Sequence, residues 1–245
     1  MKRRLAPFAA VLAALTLLAG CSSSHRTTTR HRTLTVFAAA SLMKAFTAEG
    51  QAFETLHPGI SFEFSFAGSQ TLVAQVRQGA PASVLATADL ATIDAVKDRL
   101  VAPAEVFAHN QLAIVTAPGN PLHLTSLPDL AKGHVKVVLA GPTVPVGKAS
   151  AKALKAAGVH LTPLSLEDSV SGVVTKVRLG EADAGIAYVT DLRGARLGGV
   201  PLAHTRTALA IGALAGAAHL ADAQDFVAFV RSEAGQKILM SFGFQ

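Results

Sequence analysis

Residues 60–66, ISFEFSF, alternate strictly: Ile60, Phe62, Phe64 and Phe66 fall on one face, Ser61, Glu63 and Ser65 on the other. A period of two marks a strand with one face covered. Ahead of it, residues 34–40 (LTVFAAA) are almost continuously apolar, the pattern of a short buried strand. That run passes directly into Leu42, Phe46, Phe53 and Leu56 at helical spacing, and residues 57–59 (HPG) stop the helix. After the alternating strand, AGSQT (67–71) opens a second helix carrying Leu72, Val73 and Val76. Further strands are predicted at 83–87, 109–116, 135–140, 184–188 and 206–212. Helix starts are predicted at Asp89, Ser126, Ala149 and Val170, and a closing helix at Asp222. Strand follows helix follows strand throughout, so the fold class is α/β. The length allows two lobes of roughly 100 residues each.

Two junctions share a device. Ser41 and Ser69 each follow a strand and small residues, and each precedes a helix. Both serines stand where an N-cap belongs, beside the free N–H groups of a first turn. In an open α/β sheet, ligands bind at the carboxyl ends of strands, and helix N-termini favour anions. The chemistry these junctions suggest is a small anion held by neutral donors. The chain's only tyrosine, Tyr188, ends a predicted strand and would add an O–H donor.

Residues 141–150 (GPTVPVGKAS) imitate a P-loop but fail as one. Five residues separate Gly141 from Gly147, Lys148 is followed by Ala149, and two prolines remove N–H donors. What remains is a glycine turn that opens a helix. Glu167 and Asp168 are adjacent, so on a helix they would not face one another; they read as capping acids. The chain has no G-x-S-x-G, H-E-x-x-H, C-x-x-C or G-x-G-x-x-G, and no core histidines at metal-ligand spacing.

The start of the chain is a targeting segment. Lys2, Arg3 and Arg4 precede an apolar run that ends in LAGC at Cys21, a signal peptide over residues 1–20. The LAGC ending resembles a bacterial lipobox, in which Cys21 becomes the acylated N-terminus; the other reading is an ordinary secretory signal. With one cysteine, no internal disulfide can form. Residues 22–32 are polar and read as a tether, with Arg26, Arg30 and Arg32 free to lie against anionic headgroups or to serve only as spacer.

That segment also changes the meaning of the charge. The formal +6 comes entirely from six basic residues before position 33; beyond it, 16 basic and 16 acidic residues balance. The balance removes the argument for nucleic acid. An anion site here would not rest on bulk positive charge.

The segments TVFAAASL (35–42), FAGSQTL (66–72), GAPA (79–82) with Ala88 and Asp89, VPVG (144–147), Glu167 and Asp168 with Val170, GIAY (185–188) and FGF (242–244) resemble the periplasmic molybdate-binding proteins of ABC transporters. The resemblance spans nearly all of residues 33–245. It implies a two-lobed class II periplasmic-binding-protein fold, each lobe a mixed, mostly parallel sheet flanked by helices. Lobe 1 would take residues 33–112 with 206–245, lobe 2 residues 113–205, with hinges near 112–116 and 206–209. It implies an oxyanion, molybdate or tungstate, held by Ser41, Ser69, the N–H groups of Val146 and Val170, and the Tyr188 hydroxyl. No cofactor, catalytic residue or direct metal ligand is implied. The partners would be a membrane permease and, through Cys21, the membrane, with the protein a monomer on the outer face of the cytoplasmic membrane or in the periplasm. Two departures stand out: Val146 occupies a position where a smaller Ala is familiar, and Ser83 one where Asp is common. Alternatives are a receptor for sulfate or another oxyanion on the same fold, and an envelope serine hydrolase using Ser41 or Ser69.

Overall fold

A computed structural model describes residues 31–245. The signal-peptide and Cys21 readings fall outside that range. Arg32, read as tether, is instead the first residue of strand β1 (Arg32–Ala39), and its guanidinium pairs with Asp222 at 2.8 Å. Leu34, Val36 and Ala38 are fully buried, as expected of a strand covered on both faces.

A 3-10 turn, Ala40–Leu42, joins β1 to helix α1 (Met43–Leu56). Phe46 and Phe53 of α1 pack edge-on against Phe226, at 6.1 and 5.4 Å between centroids. Strand β2 (Ile60–Ala67) lies at the sheet edge. Its phenyl rings stack at 5.4 and 5.3 Å. A Cβ on Gly50 would come within 2.8 Å of Phe64, so a glycine there lets α1 lie against that ladder.

The chain continues through α2 (Ser69–Arg77), β3 (Val84–Thr87) and α3 (Leu90–Asp94). Asp89 caps α3 as expected, accepting the Thr92 N–H at 2.6 Å. Next come β4 (Glu105–Thr116), β5 (Val137–Ala140), α4 (Pro145–Ala156), β6 (Ser165–Glu167), α5 (Val170–Arg178), β7 (Ala184–Tyr188) and α6 (Val189–Ala195). The start predicted at Ser126 forms a 3-10 turn, Leu127–Ala131, whose Asp129 accepts the N–H groups of Thr125 and Ser126. Strand β8 (Gly198–Ala213) and two helices, α7 (Leu220–Arg231) and α8 (Glu233–Ser241), finish the fold. A single closing helix was expected; Ser232 ends α7 and caps α8 through the Gly235 N–H.

The strand order is β2-β1-β3-β8-β4-β7-β5-β6. Pairings among β1, β2 and β3, and among β5, β6 and β7, are parallel; β4 and β8 run antiparallel to their neighbours. This is the mixed, mostly parallel α/β sheet expected. The expectation that the last strand spans 206–212 was too short, because β8 begins eight residues earlier. Its first half carries Gly198, Gly199, Pro201 and a left-handed His204 (φ 57°), all turn signals, and it is held as a strand by pairing on β4.

The β4–β8 ladder breaks between Gln111 and Ala113. Opposite the break the backbone bulges, and side chains take over the pairing. Gln111 Nε2 donates to the Leu202 carbonyl (2.8 Å), and the Leu112 N–H donates to Thr205 Oγ1 (3.1 Å). These two strands carry the chain between the half of the sheet built on β1 and the half built on β5. The carboxyl ends of β1, β2, β3, β5, β6 and β7 all lead to the region between the halves.

Candidate functional site

Six chain segments converge there, each at a strand-to-helix junction, and five of them carry the expected site residues. At the first, the turn begins two residues earlier than predicted. Ala39 is its N-cap and Ser41 sits inside it, so Ser41 caps nothing. Its Oγ is buried with no hydrogen-bond partner. At the second, Gly68 is the N-cap and Ser69 the first residue of α2, again correcting the cap assignment. Ser69 Oγ accepts the Ala88 N–H at 3.1 Å. One lone pair is thereby occupied, and the hydroxyl proton is left to donate elsewhere.

The third segment is the rejected P-loop. Pro145 is the first residue of α4 and Val146 the second, so the Val146 N–H belongs to the unpaired first turn. A Cβ on Gly147 would lie 2.0 Å from the Gly141 carbonyl oxygen, so only glycine lets this turn close. At the fourth, Ser169 caps α5 through the Gly172 N–H (3.3 Å) and Val170 is the first helical residue. The expectation that Glu167 and Asp168 do the capping is therefore wrong. Glu167 ends β6 and faces Lys176 at 2.9 Å, while Asp168 offers its carbonyl to Gln70. The fifth segment is Tyr188, the last residue of β7. Its N–H donates to Asp191 at 3.0 Å, and its hydroxyl is buried without a partner.

Ser41, Ser69, Val146, Val170 and Tyr188 line one cavity. Alanines at 39, 40, 67 and 88 and Gly68 add wall with almost no side chain, and Val144 and Pro145 complete it. The cavity's volume is only about 10 Å³. Ligand pockets for organic molecules run to roughly 300–1,000 Å³, so this one is too small for such a ligand. No Asp, Glu, His, Lys or Arg lines it. Burial, with Asp191 and Asp89 nearby, raises the Tyr188 phenol above its ordinary value, so the hydroxyl stays protonated as a donor. Burial pushes the Asp191 carboxyl up to about 7. Ser83 is buried beside β3 and outside the cavity wall. Among the described residues no His, Cys, Asp and Glu group could hold a metal ion.

Polar contacts bridge the two halves around the cavity. Gln70 Nε2 donates to the Asp168 carbonyl at 2.8 Å. Lys148 Nζ reaches Thr92 Oγ1 at 3.1 Å and Asp89 Oδ2 at 3.6 Å. Lys44 donates to the Gly194 carbonyl. Sequence reading missed these and missed Asp191; only the latter left a local signal, an acid three residues into the helix that follows Tyr188.

The model of a bacterial extracellular solute-binding protein family matches residues 34–245. The chain is 41% identical over 225 residues to the molybdate-binding protein ModA of Mycobacterium tuberculosis H37Rv, covering 87% of this chain and 84% of that one. Its fold is similar to that of the periplasmic molybdate-binding protein of Azotobacter vinelandii, with a TM-score of 0.77, 19% identity and 86% and 98% of the two chains covered. It is equally similar to the sulfate-binding protein SubI of Mycobacterium tuberculosis H37Rv: TM-score 0.77, 17% identity, 87% and 86% covered.

Proposed function

The chain belongs to the bacterial extracellular solute-binding protein family, and on that premise we propose that it captures molybdate or tungstate and delivers it to an ABC importer. The oxyanion takes hydrogen bonds from the hydroxyls of Ser41, Ser69 and Tyr188 and from the N–H groups of Val146 and Val170. One observation carries this reading. Ser41 Oγ and the Tyr188 hydroxyl are buried without partners at a cavity that no acid and no base lines.

Each unsatisfied buried hydroxyl costs about 1–3 kcal/mol. A tetrahedral dianion, fully deprotonated near neutral pH, supplies the missing acceptors. It has no proton to donate, so it needs no acceptor from the protein. Phosphate, which keeps a proton near neutrality, would meet a wall without a carboxylate. The donors lie at helix starts, where aimed dipoles replace the anion's hydration without a counter-charge. A serine hydrolase would need a base hydrogen-bonded to its nucleophile; Ser41 Oγ has no partner and Ser69 Oγ accepts the Ala88 N–H. Sulfate has the same charge and shape as molybdate and is smaller, so cavity size must reject it.

Residues 33–112 with 206–245 form one lobe and residues 113–205 the other, closing about the broken stretch of β4 and β8. The Gln70–Asp168 and Lys148–Asp89 contacts then hold the closed form, whose joint surface meets the permease. Cys21 carries the lipid that keeps the monomer at the outer face of the cytoplasmic membrane or in the periplasm.

Removing one hydroxyl tests the donor set. Tyr188→Phe and Ser41→Ala should each weaken molybdate binding by about ten- to a hundredfold, the worth of one hydrogen bond to a charged group. Thermal stability of the ligand-free protein should hold or rise, since each change deletes an unsatisfied buried hydroxyl. Isothermal calorimetry measures the first and a melting curve the second. Unchanged affinity in both variants would place the anion elsewhere.

A further inference from the structure

A second cavity, of about 400 Å³, adjoins the enclosed one, and Ala40 and Ser41 lie on both walls. Three cations line it from both sides of the seam: Lys44 on α1, Arg178 at the end of α5 and Arg193 on α6. Among the described residues none of the three has a carboxylate within 4 Å. The one acid on the wall, Asp191, is pushed up to about 7 by burial and so offsets at most part of one charge near neutrality.

This concentration of charge matters because the net charge of the folded part cannot attract an anion from a distance. Basic and acidic residues balance from position 33 onward. The enclosed cavity contains no cation, and the fields of hydroxyl and amide dipoles fall off faster than that of a charge. Attraction and retention are therefore handled in different places. At about 400 Å³ the outer cavity is far roomier than the inner one, so a dianion fits there with much of its hydration shell. The inner cavity has no such room.

We propose that the outer cavity is an encounter site for hydrated tetrahedral dianions, where Lys44, Arg178 and Arg193 supply the charge and from which the anion passes by Ser41 into the enclosed site. The proposal rests on the oxyanion-binding reading above. It makes Arg178 and Arg193 determinants of the association rate, with little part in retention once the lobes have closed, whereas Lys44 also bridges the seam. Clefts lined by one sign of charge raise association rates by about 10- to 1,000-fold, and salt suppresses the effect.

The test is rapid mixing of the full chain with molybdate at low and high salt, followed through the fluorescence of Tyr188, the only tyrosine in a chain without tryptophan. Lys44 is left intact because it bonds the Gly194 carbonyl across the seam. In the wild type, association should slow several-fold between about 20 and 300 mM salt, following the shrinking Debye length. Changing Arg178→Gln and Arg193→Gln together should slow association about tenfold at low salt and remove most of the salt dependence, with dissociation within about twofold of wild type. Changing both to Lys should preserve the rate, because charge is what counts. An unchanged rate in the double Gln variant, a loss confined to dissociation, or a double Lys variant as slow as the Gln pair would overturn the encounter site alone. Wild-type protein that gives no molybdate signal by fluorescence or calorimetry would overturn the oxyanion reading with it.

Discussion

Gly68→Ala is expected to abolish tight anion binding while leaving the protein folded. A Cβ at this position would stand 2.3 Å from the Asp168 carbonyl oxygen. No real Cβ approaches another atom so closely, and the obstacle is backbone on the other half of the sheet, with no side chain to swing away. The next neighbours, 2.5 and 2.7 Å away, are the amide atoms of Gln70, a flexible side chain. Gly68 has φ −58°, which alanine adopts freely. Within its own half of the sheet the substitution is thus mild, and the collision arises only where the two halves meet. It would also push apart the Gln70–Asp168 hydrogen bond. The variant should melt near the wild-type temperature without ligand and gain no thermal stability from molybdate. A variant that binds molybdate with wild-type affinity would show that the seam does not need to close.

Glu49 gives the second large effect, on stability. It sits on the buried face of α1 with no exposed surface, and neither carboxyl oxygen has a partner. Burial pushes its pKa from 4.5 up to about 8. The folded state then holds a proton that the unfolded state has lost, so stability falls as pH rises from about 4.5 and levels off once the folded pKa is passed. At about 1.4 kcal/mol per unit, the total approaches on the order of 5 kcal/mol above pH 9. Glu49→Gln keeps the size and removes the charge. Its urea-unfolding stability should match the wild type near pH 5 and exceed it by several kcal/mol near pH 9. Parallel pH profiles for the two proteins would show that the carboxyl finds water or a partner when ionised.

Much of the fold was legible because local pattern and tertiary demand agree. Strand β2 shows its alternation because one face packs on the aromatic rings of α1 and α7 while Glu63 on the other is exposed. β1 reads as buried because it is covered on both sides. The first half of β8 was illegible for the opposite reason. Its glycines, proline and left-handed His204 spell a loop, and only pairing on β4 makes them a strand. Cap residues were misplaced at Ser41, Ser69, Glu167 and Asp168. At Ser41 and Ser69 the local rule assigns the hydroxyl to the helix, whereas in the fold Ser41 Oγ is left free and Ser69 Oγ engages β3's neighbour Ala88.

The site itself was legible only in pieces. Each junction announced a helix start with donors, but nothing local says that five junctions share one cavity; the family resemblance supplied that expectation. The seam contacts had no signal, since Gln70 and Asp168 are 98 positions apart. Lys148 is instructive. It failed as a phosphate-binding lysine on spacing, and in the fold its amine turns away to Asp89 and Thr92 across the seam.

The central claim is that a donor-only cavity between two lobes holds a deprotonated tetrahedral oxyanion. Calorimetric titration of the purified chain with molybdate, tungstate, sulfate and phosphate at neutral pH tests it most directly. Molybdate and tungstate should each bind at one site per chain, sulfate far more weakly, and phosphate without measurable heat. No heat with molybdate, or sulfate binding as tightly as molybdate, would contradict it.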